Sequence, residues 1–212
     1  MIIAIDGPSA AGKSTVAKLL AKQLGVEYID TGAMYRAVAL KVERERIDPD
    51  DPAALASLLD RTEVDLAGAR VLLDGEDVSG FIRTEEVSML ASRVSAIPAV
   101  RQKLVTLQRE LGARKSVVMD GRDIGSNVFP EADYKFFVTA SPEVRARRRL
   151  KELVSRGEEA NFEEVLEDVK KRDYDDSHRA LNPLIQTEDA ILIVTDDLGI
   201  DEAVLFTLNY LH

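Results

Sequence analysis

The stretch Gly7-Pro8-Ser9-Ala10-Ala11-Gly12-Lys13-Ser14 decides the fold of this chain. Its pattern, G-x-x-x-x-G-K-[ST], is typical of a loop whose backbone amides wrap around a phosphate chain. An apolar strand pattern, 2–6, comes directly before it, and an amphipathic helical pattern, 13–24, comes directly after it. The motif requires this context, since the positive end of the helix dipole then faces the phosphates. A glycine-rich turn between strand and helix that holds no ligand is the alternative.

A loop of this kind predicts ATP and Mg²⁺ as ligands. We expect Lys13 to bridge the β- and γ-phosphates and act in catalysis, and the Ser14 hydroxyl to bind Mg²⁺. The predicted nucleotide-binding residues are the eight of the motif together with Thr15.

Composition limits the classes of partner. The chain has 212 residues, which suits one domain or a core with one or two inserted lobes, and its hydrophobic content of 45% allows a sizeable core. Its 38 acidic and 28 basic residues give a formal net charge of -10, which disfavours a nucleic-acid polymer as partner. There is no Cys, no leader pattern and no apolar run of membrane-spanning length, so we expect a cytoplasmic protein without a membrane partner.

Strands alternate with helices along most of the chain, which predicts a parallel α/β sheet. The predicted core strands are 2–6, 26–30, 116–120, 133–139 and 191–195. Helical patterns cover 13–24, 32–46, 98–111, 144–156, 162–178 and 201–211. The segment 48–93 differs, because a short helix ending near Asp60 is followed by small antiparallel strands around Gly68 and Gly75. This segment is predicted to be an inserted lobe.

Asp120 stands at the carboxyl end of a predicted core strand, the end at which open α/β sheets bind ligands. We expect it to hold Mg²⁺ through water. A helix cap or turn residue is the alternative. Asp6, at the end of the first strand, is a weaker candidate for the same role.

Several arginines are candidates for binding phosphate. Arg122 follows Asp120 closely, Arg36 and Arg101 lie on earlier helices, and the spacing of Arg172, Asp176 and Arg179 predicts one helix face. Considered alone, these residues are typical of a salt-bridged surface, as is the basic run 145–149. Together with a phosphate loop they indicate a second phosphorylated ligand, because guanidinium groups bind phosphate in a bidentate manner.

Longer motifs resemble bacterial cytidylate (CMP) kinase. The matching segments are 6–14, 30–36, 75–79, 82–87, 120–125, 128–130 and 172–173, and the resemblance runs from residue 2 to about 184. It implies a nucleoside monophosphate kinase fold: a three-layer α/β/α domain over 1–212 with a five-stranded parallel sheet. It also implies a monophosphate-binding lobe at 32–93, with an insert at about 54–93, and a helical lid at 147–172.

The resemblance further implies transfer of the γ-phosphoryl group of ATP to CMP or dCMP, by a protein expected to be a monomer. It assigns the acceptor phosphate to Arg36, Arg122 and Arg179, the ribose to Arg172 and Asp176, and the base to Ser92, Arg101 and Asp123. Arg122, Arg172 and Arg179 join Lys13 as the expected catalytic residues. Thr31 stands where the family commonly has Ser, so the hydroxyl is kept and a methyl group is added.

The base assignment agrees with hydrogen-bond chemistry. Cytosine offers an amine donor at C4, which suits the carboxylate of Asp123, and acceptors at N3 and O2, which suit Arg101. Uracil reverses two of these groups, so the same site would disfavour UMP.

Three other functions stay open on the sequence. A GTPase-type switch would need an Asn-Lys-x-Asp motif, and no Asn of the chain is followed by Lys. A kinase of an unphosphorylated small molecule would not need so many arginines on the acceptor side. A module that only holds nucleotide is the third alternative.

Overall fold

A computed structural model of the chain describes residues 1–68 and 70–211. The strands are β1 (Ile2–Asp6), β2 (Glu27–Asp30), β3 (Val64–Ala67), β4 (Arg70–Leu73), β5 (Glu76–Asp77), β6 (Val117–Gly121), β7 (Tyr134–Thr139) and β8 (Ile191–Val194). The α-helices are α1 (Lys13–Leu24), α2 (Thr31–Arg44), α3 (Pro52–Asp60), α4 (Glu85–Ser95), α5 (Pro98–Arg114), α6 (Pro142–Ser155), α7 (Phe162–His178) and α8 (Ile200–Leu208). A single π-helical turn, Ile124–Val128, follows β6.

The central sheet has five strands in the order β2-β6-β1-β7-β8, and β1 pairs in parallel with both β6 and β7. Residues Ile3 to Ile5 of β1 are fully buried, as expected for a strand covered on both faces. The register places Asp6 beside Gly121 of β6 and Phe137 of β7, so the carboxyl ends of three strands meet at one edge. The predicted five-stranded parallel α/β/α fold is confirmed.

The chain divides into two units, and the boundary falls within β2. The core unit consists of Met1–Tyr28 and Lys115–His212, and the inserted unit of Ile29–Arg114. The inserted unit is thus longer than the lobe predicted at 32–93, since it also contains α5. None of the helices in the described ranges combines the length and the apolar character needed to cross a bilayer.

In the core unit, α1 and α8 pack on the sheet around Val16, Leu20 and Val204. The helices α6 and α7 form a separate small core from Ala146, Leu153, Val165 and Val169. These two helices contain the predicted lid, 147–172, whose role as a lid stays a prediction.

In the inserted unit, β3, β4 and β5 form an antiparallel sheet, as the sequence predicts. The buried ammonium of Lys41 on α2 donates to the carbonyl oxygen of Arg61 at 2.6 Å and pairs with Asp74 at 2.5 Å. It thereby fixes the end of α3 and the β4–β5 turn to α2. Helix α4 was not predicted, although Thr84 caps it and two glutamates open it.

Gly7 allows the phosphate loop to pass close to β7. Its φ is +144°, and a Cβ at this position would stand 1.9 Å from the carbonyl oxygen of Val138. Both the backbone conformation and the lack of space therefore require glycine.

We predict that Gly7→Ala lowers the free energy of unfolding by more than about 2 kcal/mol, because the methyl group collides with rigid backbone. Urea unfolding would measure the change. Gly80→Ala is the matched control, since a Cβ at Gly80 meets nothing within 4 Å and should change stability by less than about 1 kcal/mol. Equal effects of the two substitutions would contradict the prediction.

Candidate active site

The phosphate loop leads directly into α1. Gly12 caps the helix with a left-handed φ of 97°, and its carbonyl oxygen accepts the first helical hydrogen bonds, from Thr15 and Val16. Ala10 also has a positive φ, of 57°. Left-handed residues within a loop are typical of backbone that presents successive N–H groups to an anion.

The carbonyl oxygens of the loop are bound by side chains from elsewhere in the core unit. Arg145 of α6 donates to the oxygen of Ser9 at 3.3 Å, and Arg148 donates to that of Ala11 at 3.4 Å. The hydroxyl of Thr195, just after β8, donates to Ala11 at 2.9 Å. The arginines of the basic run are therefore not simply surface charge, because two of them support the phosphate loop.

Arg145 also joins the loop to α7. Its side chain is 3% exposed, and it forms a bidentate ion pair with Asp173, with one bond of 2.8 Å. Its Nε donates to the carbonyl oxygen of Ala140 at 2.8 Å. One buried guanidinium thus connects the phosphate loop, the start of α6 and the middle of α7.

Lys13 is almost fully buried and folds back over the loop, where its ammonium donates to the carbonyl oxygen of Pro8 at 2.6 Å. Burial, together with the nearby guanidinium of Arg122, lowers the pKa of Lys13 to about 7. The carboxylates of Asp120 and Asp176 act in the opposite direction. Phosphate oxygens beside this ammonium would raise its pKa again and keep it cationic.

The two residues predicted to hold a metal ion, Ser14 and Asp120, are in direct contact. The Ser14 hydroxyl donates to Asp120 Oδ2 at 2.7 Å, and the hydroxyl of Tyr28 donates to Oδ1 at 2.9 Å. Asp120 is 4% exposed. A hydroxyl and a carboxylate are the oxygen donors that Mg²⁺ prefers. Within the described ranges no group of three or more His, Asp or Glu could hold a metal.

Arg122, directly after β6, is held by Asp176 of α7. Its Nε donates to Asp176 Oδ2 at 2.7 Å, and its Nη1 donates to the carbonyl oxygen of Gly121 at 3.3 Å. Although burial opposes it, the carboxylate of Asp176 raises the pKa of Arg122 further above its usual value. The guanidinium is therefore a permanent cation beside Lys13.

Asp123 forms a second pair, with Arg179. Arg179 Nη2 donates to Asp123 Oδ1 at 3.1 Å, and Asn127 donates to Oδ2 at 2.9 Å. Both side chains of the pair are less than one tenth exposed. Arg179 follows the last residue of α7, and its Nε donates to the carbonyl oxygen of Asn182 at 2.7 Å. Arg179 therefore lies just beyond the helix, and its side chain contacts the residue next to the one that Asp176 contacts.

Asp6 holds the turn that carries these residues. Its two carboxylate oxygens accept hydrogen bonds from the amides of Ile124 and Gly125, at 2.8 and 2.7 Å. These are the first two amides of the π-helical turn that follows Arg122 and Asp123. Burial raises the pKa of Asp6 to about 6, against the lowering effect of the two amides. Asp6 therefore supports the turn, and its candidacy for the metal role stays a prediction.

In the inserted unit, Asp30 organises the start of α2. One of its carboxylate oxygens accepts from the amide of Ala33 at 2.9 Å, and the other accepts from Arg36 at 3.1 Å. Arg36 is therefore oriented by the same carboxylate that caps its helix.

The other predicted binding residues of this unit lie on three helices. Thr31 is buried as the first residue of α2, Ser92 is half-buried on α4, and Arg101 is 3% exposed on α5. The Arg101 guanidinium donates to the carbonyl oxygen of Ser95 at 3.3 Å and lies 5.8 Å from the ring centre of Tyr35. A buried arginine placed over a ring has a fixed plane, which suits recognition of a flat base.

Comparison with known proteins shows the family of the chain. A family model described as "Cytidylate kinase" matches residues 3–212. A cytidylate kinase of Caldanaerobacter subterraneus subsp. tengcongensis is 56% identical over 202 residues, which cover 95% of this chain and 90% of that protein. A cytidylate kinase of Symbiobacterium thermophilum is 50% identical over 209 residues, which cover 96% of this chain and 92% of that protein.

The chain belongs to the cytidylate kinase family. Its fold extends beyond that family: the crystal structure of a shikimate kinase from Bacteroides thetaiotaomicron superimposes with a TM-score of 0.53 at 14% identity. That match covers 100% of this chain and 98% of the shikimate kinase. The likeness shows a shared P-loop kinase fold.

For this member of the cytidylate kinase family, the core unit brings together most of the predicted site residues. Lys13, Ser14 and Asp120 lie at the phosphate loop, and the pairs Arg122–Asp176 and Arg179–Asp123 lie beyond the end of β6. Arg172 lies half-buried on α7, one turn before Asp176. The roles of these residues remain predictions.

Sequence reasoning missed the supporting contacts of Arg145, Arg148 and Asp6. The basic run was visible, but its geometry depends on where α6 crosses the phosphate loop. A signal for Asp6 existed, because a carboxylate at the end of a buried strand needs hydrogen-bond donors and β6 is followed by a glycine-rich turn.

We predict that Asp6 makes folding stability depend on pH. Because its pKa is raised from 3.8 to about 6, its contribution is fully present below pH 3.8 and is lost as pH rises through about 6. The wild type should therefore lose up to about 3 kcal/mol relative to Asp6→Asn between about pH 4 and pH 7. Urea unfolding of both proteins across this range measures the difference.

Asparagine also places an NH2 donor against one of the two amides and so loses that hydrogen bond, but the loss does not depend on pH and leaves the slope of the comparison intact. Asp197→Asn, which removes an exposed carboxylate of the same unit, is the control for the loss of one charge. Parallel stability curves for the wild type and Asp6→Asn would contradict the prediction.

Proposed function

We propose that the chain transfers the γ-phosphoryl group of ATP to CMP or dCMP, which yields ADP and CDP or dCDP for pyrimidine nucleotide metabolism. The observation that carries the proposal is that the core unit has a phosphate loop with Lys13 beside the guanidinium of Arg122, which is ion-paired with Asp176. Membership of the cytidylate kinase family over nearly the whole chain supports the same activity.

For the donor, we assign the loop from Gly7 to Thr15 to the phosphates of ATP. Its amides and the α1 dipole hold the phosphate chain, and Lys13 stabilises the charge that develops on the transferred group. The carbonyl oxygens bound by Arg145 and Arg148 keep the amides turned inward.

We assign Mg²⁺ to Ser14 and Asp120, whose oxygens are 2.7 Å apart. Bound there, the ion would neutralise charge on the β- and γ-phosphates. The carboxylate of Asp120 would orient the ion, because the hydroxyl of Tyr28 fixes its second oxygen.

For the acceptor, we assign its phosphate to Arg122 and Arg179 and, by family resemblance, to Arg36. Arg172 and Asp176 are assigned to the ribose, and Asp123 to the amine of cytosine. In the inserted unit, the resemblance assigns Ser92 and Arg101 to the base, with Thr31 near the acceptor.

No general base is needed in this mechanism, because the acceptor phosphate is already an anionic nucleophile. The chain contributes position and electrostatic stabilisation. Closure of the predicted lid, 147–172, would exclude water and so suppress hydrolysis of ATP.

The substrate assignment predicts that CMP and dCMP are phosphorylated and that UMP is disfavoured by a factor of up to about 10⁴ in kcat/KM, because Asp123 would face an acceptor. A coupled assay of ADP release with a panel of nucleoside monophosphates measures this. Asp123→Ala should bring the CMP:UMP ratio close to one.

Because the prediction concerns a ratio, partial loss of folded protein cancels out. Glu131→Ala removes an exposed carboxylate from the same unit and should keep the wild-type ratio. Equal kcat/KM for CMP and UMP in the wild type would contradict the assignment. ADP release that does not depend on any acceptor would point to a nucleotide-hydrolysing switch.

We predict that Lys13→Ala lowers kcat by at least about 10²-fold, by analogy with the loss of one preorganised donor in other active sites. Single-turnover assays at saturating ATP measure the step. Lys22→Ala, which removes an exposed lysine from the same helix, should leave kcat unchanged. Near-normal turnover of Lys13→Ala would remove the residue from the mechanism.

A further inference from the structure

Each of two arginines assigned to the acceptor phosphate is paired with a carboxylate assigned to the nucleoside. Arg122 pairs with Asp176 at 2.7 Å, and Arg179 pairs with Asp123 at 3.1 Å. All four side chains belong to the core unit. The residues that would bind phosphate and those that would bind the nucleoside are therefore in direct contact.

A phosphate group that binds these arginines must compete with the two carboxylates. Each carboxylate already accepts from one N–H of its arginine, Nε of Arg122 and Nη2 of Arg179. A phosphate brings further negative charge close to Asp123 and Asp176. Since Asp123 and Arg179 are 7% and 8% exposed, water screens this repulsion only weakly. A phosphate without a nucleoside is thus disfavoured at this position.

A nucleoside removes part of this obstacle. A carboxylate has about four lone-pair sites, so Asp123 can accept from an amine of the base while it keeps a bond to Arg179. In the same way Asp176 can accept from a ribose hydroxyl. Donors from the nucleoside draw on the charge of each carboxylate, which weakens its hold on the arginine and its repulsion of phosphate.

We infer that Asp123 and Asp176 act as positioning residues that make phosphate binding by Arg179 and Arg122 depend on a bound nucleoside. This inference rests on the proposed acceptor site. Its consequence is specificity: the site takes a nucleoside monophosphate and rejects inorganic phosphate and simple phosphate esters, which are abundant anions of the same charge.

The inference predicts that a carboxylate variant gains affinity for a small phosphate. Methyl phosphate is the probe, titrated by phosphorus NMR with the donor site saturated by a non-hydrolysable ATP analogue and Mg²⁺. Asp123→Asn and Asp176→Asn should each bind methyl phosphate at least about fivefold more tightly than the wild type, because more of the protein is then competent to bind it. If the carboxylates only supported the structure, their substitution would weaken the binding of methyl phosphate instead.

Asp175→Asn is the matched control. It makes the same substitution one residue from Asp176, on an exposed side chain of α7, and should change the affinity by less than about twofold. If Asp175→Asn gained as much affinity for methyl phosphate as the two test variants, the effect would come from net charge alone, and this result would overturn the inference. An unchanged or weaker affinity in both test variants would overturn it as well.

Cytidine provides a second readout. In the wild type, saturating cytidine should raise the affinity for methyl phosphate, and by linkage methyl phosphate should raise the affinity for cytidine by the same factor. In Asp123→Asn, the factor by which each probe raises the affinity for the other should fall toward one. Independent binding of the two probes in the wild type would overturn the inference.

The titrations need no turnover, so they separate the inference from the proposed function. Failure of the wild type to phosphorylate CMP would contradict the proposed function. The methyl phosphate titrations test the role of the two carboxylates independently of that activity. Affinity for the ATP analogue verifies that each variant is folded. If the buried Asp123→Asn does not fold, Asp176→Asn, from the more exposed pair, decides the outcome.

Discussion

The conformation of the phosphate loop in this kinase depends on hydrogen-bond donors for the carbonyl oxygens that point away from the phosphate site. A loop that turns its amides toward an anion has to direct its carbonyl groups away from it, into the protein, where each needs a hydrogen bond. Lys13 donates one such hydrogen bond, to the carbonyl oxygen of Pro8. The other side-chain donors come from parts of the chain far from the loop: Arg145, Arg148 and Thr195. The conformation of the donor site is therefore set by α6 and the end of β8 as much as by the glycines of the loop.

The core unit pairs several of its arginines with individual carboxylates, although the chain as a whole is strongly acidic. Arg122, Arg145 and Arg179 each have a carboxylate partner, on α7 or directly after β6. A buried arginine without such a partner would be costly, and a phosphate-binding site without arginines would be weak. Carboxylates within the site reconcile these demands, because they stabilise the cations in the protein and also offer acceptors to a substrate.

The sequence predicted the sheet because its strands are short apolar runs and its phosphate loop stands between the first strand and the first helix. It also singled out Ser14, from the phosphate-loop motif, and Asp120, at the carboxyl end of a strand, and the structure brings the two into contact. It could not predict that Asp123 pairs with Arg179, because the two are 56 residues apart and Arg179 lies beyond the end of its helix. Helix α4 was missed because only one turn of it carries clear capping signals, and the support by Arg145 depends on a tertiary crossing that no local pattern records.

Arg145 has a mechanical consequence. Because one rigid guanidinium holds both Ser9 of the phosphate loop and Asp173 of α7, the helix that carries Arg172 and Asp176 is tethered to the place where ATP would bind. A shift of α7 has to stretch this tether or pull on the loop. The conformation of the donor site would then respond to any movement of the helix that carries candidate residues for the acceptor.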